Sequence, residues 1–74
     1  MMKVSEIKKF QLIVQDTFNK LEVGKIYNIK NLGYSYAIVS NICDEIILYS
    51  ISKWQLENMF EEVNYLWLQN RKRG

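Results

Sequence analysis

Few side chains in this sequence have the reactivity that catalysis requires, and histidine is absent. The chain therefore lacks the usual general base, the commonest transition-metal ligand and the side chain that titrates near neutral pH. Its glycines at positions 24, 33 and 74 are too scattered to form a phosphate-binding loop. We expect no catalytic residue, no cofactor and no metal site, and we predict a non-enzymatic protein.

Cys43 is the only cysteine, so it is the one candidate for a nucleophile or redox sensor. A reactive cysteine needs a neighbouring base or cation that stabilises its thiolate. Here no histidine exists, and the next two residues are the acidic Asp44 and Glu45. We predict that Cys43 is a small, partly buried residue of a hairpin connection with no catalytic or redox role.

The carboxylates form a second candidate set, with Glu57, Glu61 and Glu62 close together and Asp44 and Glu45 earlier in the chain. Their spacing does not match a calcium-binding loop, which needs six or more convergent oxygen ligands. Two interpretations remain open for this set. It is either a solvated face or an acidic patch that engages a basic protein surface.

Aromatic residues are frequent, and the small core of a 74-residue chain cannot bury all of them. Exposed tyrosine and tryptophan residues concentrate binding energy at protein interfaces, and they also stack on single-stranded bases. The predicted protein-binding surface combines aromatic and acidic residues of the last third, namely Trp54, Glu57, Glu61, Glu62, Tyr65 and Trp67. The alternative nucleic-acid-binding surface combines basic and tyrosine residues, namely Lys25, Lys30, Tyr34, Tyr36, Arg71, Lys72 and Arg73. A third interpretation is self-association into a homodimer through Leu66, Trp67 and Leu68.

The formal net charge of +2 comes from the C-terminal end, where Arg71, Lys72 and Arg73 are consecutive. Residues 1–70 hold seven lysines and eight acidic residues, so this part is near neutral. A near-neutral body lacks the electrostatic footprint of a dedicated duplex binder. We predict one domain over residues 1–70 and a basic tail over residues 71–74. No apolar run reaches the roughly 18 residues of a membrane span, so we expect no membrane partner. A single cysteine and an N-terminus that does not resemble a signal peptide are typical of a reducing cytosol, so we expect a cytoplasmic location.

The first strand is predicted around residues 9–16, because Phe10, Leu12 and Val14 alternate with residues of the opposite face. A helical interpretation also exists, since apolar residues recur at helical spacing at Ile7, Phe10, Val14, Phe18 and Leu21. The β-branched residues and the nearby Gly24 favour the strand.

Three further strands are predicted at residues 26–30, 34–40 and 45–51, the first of them launched by a turn at Gly24. The apolar run at residues 46–49 predicts burial on both faces of the fourth strand, or a partner that covers its outer face. The predicted core takes one residue or two from each strand, namely Leu12, Val14, Ile29, Ile38, Ile47 and Phe60.

The last third supports two structures. Ser52 and Gln55 form a capping-box pattern, and a helical stripe follows it, which is typical of a long helix over residues 52–70. The alternative is a short helical turn over residues 53–59 and a final strand over residues 60–67. Periodicity favours the long helix, whereas the order of the preceding strands favours the turn and strand.

That order of elements resembles an SH3-like small barrel, and over residues 9–63 the chain is similar to small SH3-like proteins of Firmicute phages and prophages. The matching residues are Asp16, then Leu21, Val23, Gly24, Lys25 and Tyr27 of a Leu-x-Val-Gly-Lys-x-Tyr turn, then Tyr36, Ile38, Phe60, Glu61, Glu62 and Val63. The resemblance implies a mainly-β fold, a single five-stranded barrel with a short helix near the C-terminus. It also implies a phage-type binding module. Our own hypothesis is a small protein that binds and modulates a host protein, for example an enzyme or a defence component.

Overall fold

The computed structural model describes residues 2–16 and 20–63. The elements are β1 (Ile7–Leu12), β2 (Ile26–Asn31), β3 (Tyr36–Val39), β4 (Ile47–Ile51), α1 (Lys53–Met59) and β5 (Phe60–Glu62). The strands form one antiparallel sheet in the order β4-β3-β2-β1-β5. The mainly-β prediction is confirmed. β4 and β5 are the two edges, and no pairing joins them within the described ranges, so the sheet is open there.

β1 is a strand, and the helical interpretation of this segment is wrong. Phe10 and Leu12 are buried, whereas the intervening side chains are exposed or half-buried, as alternation requires. Phe10 pairs with Tyr27 of β2, and Leu12 pairs with Phe60 of β5. β1 therefore lies between β2 and β5 and connects β5 to the rest of the sheet.

The core lies on one face of the sheet, and four of the six predicted core residues belong to it. Leu12, Ile29 and Ile38 are the largest fully buried side chains, and Phe60 is buried beside them. The prediction for Val14 is wrong, because β1 ends at Leu12 and Val14 is 47% exposed. The alternation of apolar residues continues in the sequence past Leu12, although the strand ends at that residue.

The turn before β2 has the backbone predicted for it. Gly24 has φ +93°, a conformation that side chains with a Cβ resist. Its N–H donates to the Leu12 carbonyl oxygen over 2.7 Å, and its own carbonyl accepts from the Gln11 side-chain amide over 2.8 Å. The Tyr27 hydroxyl accepts from the Glu22 N–H over 2.9 Å. These bonds fix the entry of the chain into β2.

β4 contradicts the predicted burial on both faces, because four of its five residues are exposed and only Ile51 is buried. The alternative, a partner that covers its outer face, stays a prediction. Ile47 is 55% exposed, so its place in the predicted core is also wrong. Ile38 pairs with Tyr49 and the next residue, Val39, pairs with Ile47. Leu48 is thus an extra residue, a β-bulge that interrupts the alternation of an edge strand.

α1 contains only the seven residues Lys53–Met59, so the prediction of a long helix over residues 52–70 is wrong. Ser52 caps it: its hydroxyl accepts from the Gln55 N–H over 3.1 Å, while the Gln55 side chain accepts from the Ser52 N–H over 2.8 Å. Phe60 ends the helix with an extended backbone at φ −126°, ψ 155° and begins β5. The turn-and-strand prediction is confirmed as far as Glu62; its residues 64–67 lie outside the described part of the chain.

Candidate functional site

Two adjoining depressions, of about 270 and 250 Å³, lie where the N-terminal segment, the β2–β3 turn, α1 and β5 come together. Both are lined by Met2, Tyr36 and Glu57, and we call the combined depression the Tyr36 groove. The remaining lining residues are Val4, Asn31, Gly33, Tyr34, Ser35 and Lys53 on one side, and Phe10, Leu56, Phe60 and Glu62 on the other.

Asn31 builds one end of the groove. Its side-chain carbonyl accepts from the Gly33 N–H over 2.8 Å, and its side-chain N–H₂ donates to the Met2 carbonyl oxygen over 3.0 Å. Its main chain accepts from the Ser5 N–H and donates to the Glu6 carbonyl oxygen. A single buried residue therefore holds the N-terminal segment against the β2–β3 turn.

α1 supplies the opposite wall. Leu56 and Met59 are buried, which fixes the rotation of the helix on the core. Lys53 and Glu57 are four residues apart, so they lie on the same helix face, and both line the groove. Trp54 is 65% exposed and is not a lining residue. It lies in the first turn of α1 and directly follows the lining residue Lys53.

β5 divides the predicted acidic set. Glu62 pairs with the buried Phe10 in the sheet register, so it projects on the core side, and it lines the groove. Its carboxylate lies 3.6 Å from the Lys8 ammonium. Glu61 projects to the other face, because successive residues of a strand alternate. The structure therefore brings Glu57 and Glu62 to the same groove and separates Glu61 from them.

The predicted nucleic-acid set is also divided. Tyr34, which is 87% exposed, and the half-buried Tyr36 both line the groove. Lys30 pairs in register with Ala37 on the opposite face of the sheet. Its ammonium contacts the Glu45 carboxylate at 2.6 Å.

Lys25, before the start of β2, lies 5.4 Å over the Tyr27 ring. The two lysines therefore do not converge on the exposed tyrosines. The other predicted site residues lie outside the described ranges, namely Tyr65, Leu66, Trp67, Leu68, Arg71, Lys72 and Arg73.

The groove combines apolar walls with carboxylates. The Glu57 carboxylate forms no hydrogen bond or ion pair with any residue in the ranges 2–16 and 20–63. The same ranges contain no cluster of three acidic or cysteine side chains that could hold a metal ion. The carboxylates of such a surface can bind a cationic group, and its apolar walls can cover an apolar group. Neither contact requires a reactive side chain.

Cys43 is exposed, so the prediction that it is partly buried is wrong. It lies in the connection between β3 and β4, where Asn41 accepts a hydrogen bond from the Asp44 N–H over 2.7 Å. The side chain points to solvent because this connection stands outside the sheet. It is not part of the Tyr36 groove.

Sequence reasoning missed Met2, Phe10 and Lys53 as groove residues. Met2 and Lys53 gave no local signal, since the first is at the start of the chain and the second is an ordinary helix residue. The alternation of β1 predicts that Phe10 faces inward. In the structure Phe10 is buried at the rim of the core, and it also lines the groove.

Comparison of the chain with protein-family models, with curated proteins and with solved structures found no match. No helix in the described part of the chain has the length and apolar character needed to cross a bilayer.

Proposed function

We propose that this chain is a non-enzymatic protein-binding module with an SH3-like barrel fold, and that the Tyr36 groove receives an extended segment of another protein. The expected segment carries apolar side chains and at least one lysine or arginine. The barrel is supported by the order of elements, in which a meander is followed by a short helix and a last strand returns to β1.

The observation that carries the proposal is the position of Glu57. Its carboxylate has no partner in the described residues and shares a groove with Tyr36, Leu56 and Phe60. A guanidinium or ammonium group that meets this carboxylate would lay its aliphatic stem on the apolar wall. Because Glu57 is exposed, an ion pair of this kind contributes about 0.2–1 kcal/mol.

Trp54 extends the proposed surface beyond the groove, and Tyr34 contributes an exposed ring to the groove itself. Both are largely exposed, and they lie on α1 and on the β2–β3 turn, the two elements that flank the depression. Large aromatic side chains lose little rotamer entropy on binding and bury much area, so they are suited to anchor a partner. They form the expected rim of the interface.

The biological setting of the proposal rests on the sequence resemblance. A phage-type protein of this size would act in the host cytoplasm by binding a host protein and modulating it. Nucleic-acid binding is the competing function, and the separation of Lys25 and Lys30 from the tyrosines gives it little support.

The test is a pull-down from bacterial lysate, with and without nuclease, using three baits: the parent chain, Glu57→Lys and Glu22→Lys. Glu22 is exposed and lies outside the groove, so its reversal matches the change in net charge. We expect a protein that the parent and the Glu22→Lys variant retain and that Glu57→Lys loses at least tenfold. Synthetic peptides from that protein should then shift NMR signals of groove residues.

Two results would contradict the proposal. One is a partner that Glu57→Lys retains as well as the parent, which would place binding elsewhere. The other is retained material that nuclease removes, which would favour the nucleic-acid function. Circular dichroism of each bait establishes that a loss of binding is not a loss of folding.

A further inference from the structure

β4 is an edge strand with an unusual distribution of apolar side chains. Ile46 and Leu48 are 58% and 54% exposed, and the neighbouring Ile47 is exposed to a similar degree. Val39 and Ile38 project to opposite faces of β3, and they pair with Ile47 and Tyr49 of β4. Both of these β4 residues are exposed, so apolar groups meet solvent on both sides of this edge. In β3, by contrast, Ala37, Ile38 and Val39 are all buried.

The two edges of the sheet differ in how they are protected against pairing. β5 carries Glu61 and Glu62, and charges on an edge strand oppose the addition of a further strand. Residues 46–51 contain no charged residue and no proline. The bulge at Leu48 shortens the regular part of the strand, and the Lys20 ammonium lies 5.9 Å over the ring of Tyr49. The outer edge of β4 also has no partner strand in the described part of the chain.

The charges that flank β4 indicate which strand would pair with it. Asp44 precedes the strand and Lys53 follows it. If two copies pair antiparallel, Asp44 of each copy lies near Lys53 of the other, at both ends of the contact. Parallel pairing would bring like charges together instead. β4 carries no charge itself and has opposite charges at its two ends. Two copies in antiparallel orientation therefore present opposite charges to each other at both ends.

From these three observations we propose that two copies of this chain associate through antiparallel pairing of their β4 strands about a two-fold axis. Main-chain hydrogen bonds form along the short regular part of the strand. In the register that opposes Asp44 to Lys53, Leu48 of each copy lies opposite Tyr49 of the other, next to the two-fold axis. Ile46 and Ile47 then lie opposite Ile51 and Ser50 of the partner copy. One short strand and its flanks bury less than a standard interface of about 1,600 Å², so the dimer is expected to be weak and concentration-dependent.

This surface is distinct from the walls of the Tyr36 groove, except that Lys53 lies at the border of both. The inference does not depend on the proposed function. A dimer would present two grooves, one from each copy.

The test is sedimentation velocity over a wide concentration range, in reducing buffer and in a Cys43→Ser background that excludes a disulfide between copies. We expect the mass to rise from 8.9 kDa toward twice that value as concentration increases. Leu48→Lys should weaken the dimer at least tenfold. The matched control is Val23→Lys, which adds the same charge at an exposed valine away from β4, and it should associate like the parent.

Charge exchange tests the antiparallel arrangement. Asp44→Lys and Lys53→Asp should each weaken the dimer, and the double variant should recover the parent affinity. If Leu48→Lys fails to fold by circular dichroism, Ile46→Lys replaces it, because Ile46 precedes the strand. A parent chain that stays monomeric at the highest concentration would overturn the proposal, and so would a dimer that both lysine variants leave intact.

Discussion

The side-chain amide of Asn31 donates a hydrogen bond to the main-chain oxygen of Met2 over 3.0 Å, inside the protein. The same side chain accepts from the Gly33 N–H, so one residue connects the start of the described chain with the β2–β3 turn. Both connected segments line the Tyr36 groove. The shape of one end of the groove therefore depends on a single buried amide.

Replacing Asn31 by alanine should lower the free energy of unfolding by about 1–3 kcal/mol, because buried main-chain groups lose their partners. Urea unfolding measures this loss, and hydrogen exchange should show reduced protection of the Gly33 N–H. Asn28→Ala is the matched control on the same strand, since its side chain meets only the Lys9 ammonium near the surface. Equal effects of the two substitutions would contradict the role assigned to Asn31.

Ile38→Ala should lower the free energy of unfolding by about 2–5 kcal/mol, because it leaves a cavity in the fully buried centre of the core. Ile13→Ala removes the same atoms from an exposed position and should change it by no more than about 0.5 kcal/mol. Urea titrations of the parent and both variants give the comparison. A small effect at Ile38 would show that the core lies elsewhere.

Alternation of apolar residues was sufficient to predict Leu12, Ile29 and Ile38 as core, because each lies in a strand flanked by two others. It was insufficient for Val14 and Ile47. Val14 lies beyond the end of β1 at Leu12, so the alternation of the strand no longer determines which side its side chain faces. Ile47 lies on an edge, and whether a strand is central or at an edge depends on which strands pair, which no local pattern records.

Gly24→Ala should cost about 1–3 kcal/mol from backbone strain alone. The φ of +93° is the cause, because a Cβ added at Gly24 would meet no other atom within 4 Å. Gly24→Asn should cost less, since asparagine tolerates a positive φ better than alanine does. Thermal unfolding of the three proteins gives the order; an alanine variant as stable as the parent would remove the strain argument.

Cys43→Ser should leave the free energy of unfolding within about 0.5 kcal/mol of the parent value and should not change partner binding. The side chain is exposed and outside the groove, so it supports neither the core nor the proposed interface. Ellman's reagent should titrate the thiol of the folded parent without denaturant. A thiol that reacts only after unfolding would show that the β3–β4 connection is covered.

The candidate site was predicted only in part, because its residues are distant in sequence. Trp54, Glu57 and Glu62 were selected together with Glu61, whose opposite orientation follows from the start of β5 at Phe60. The sequence alone does not locate the start of β5, because its pattern is also compatible with a helix over residues 52–70. The contribution of Met2 depends on the side chain of Asn31, a long-range contact that composition and spacing do not reveal.

The pairing of β1 with both β2 and β5 has a consequence for the order of folding events. β2, β3 and β4 are joined by short connections, whereas the Leu12–Phe60 pairing closes most of the described chain into a loop. Closing a long loop is entropically costly, so we expect the meander to form first and β5 to dock late. Substitutions that weaken the β1–β5 contact should then accelerate unfolding and leave the folding rate nearly unchanged.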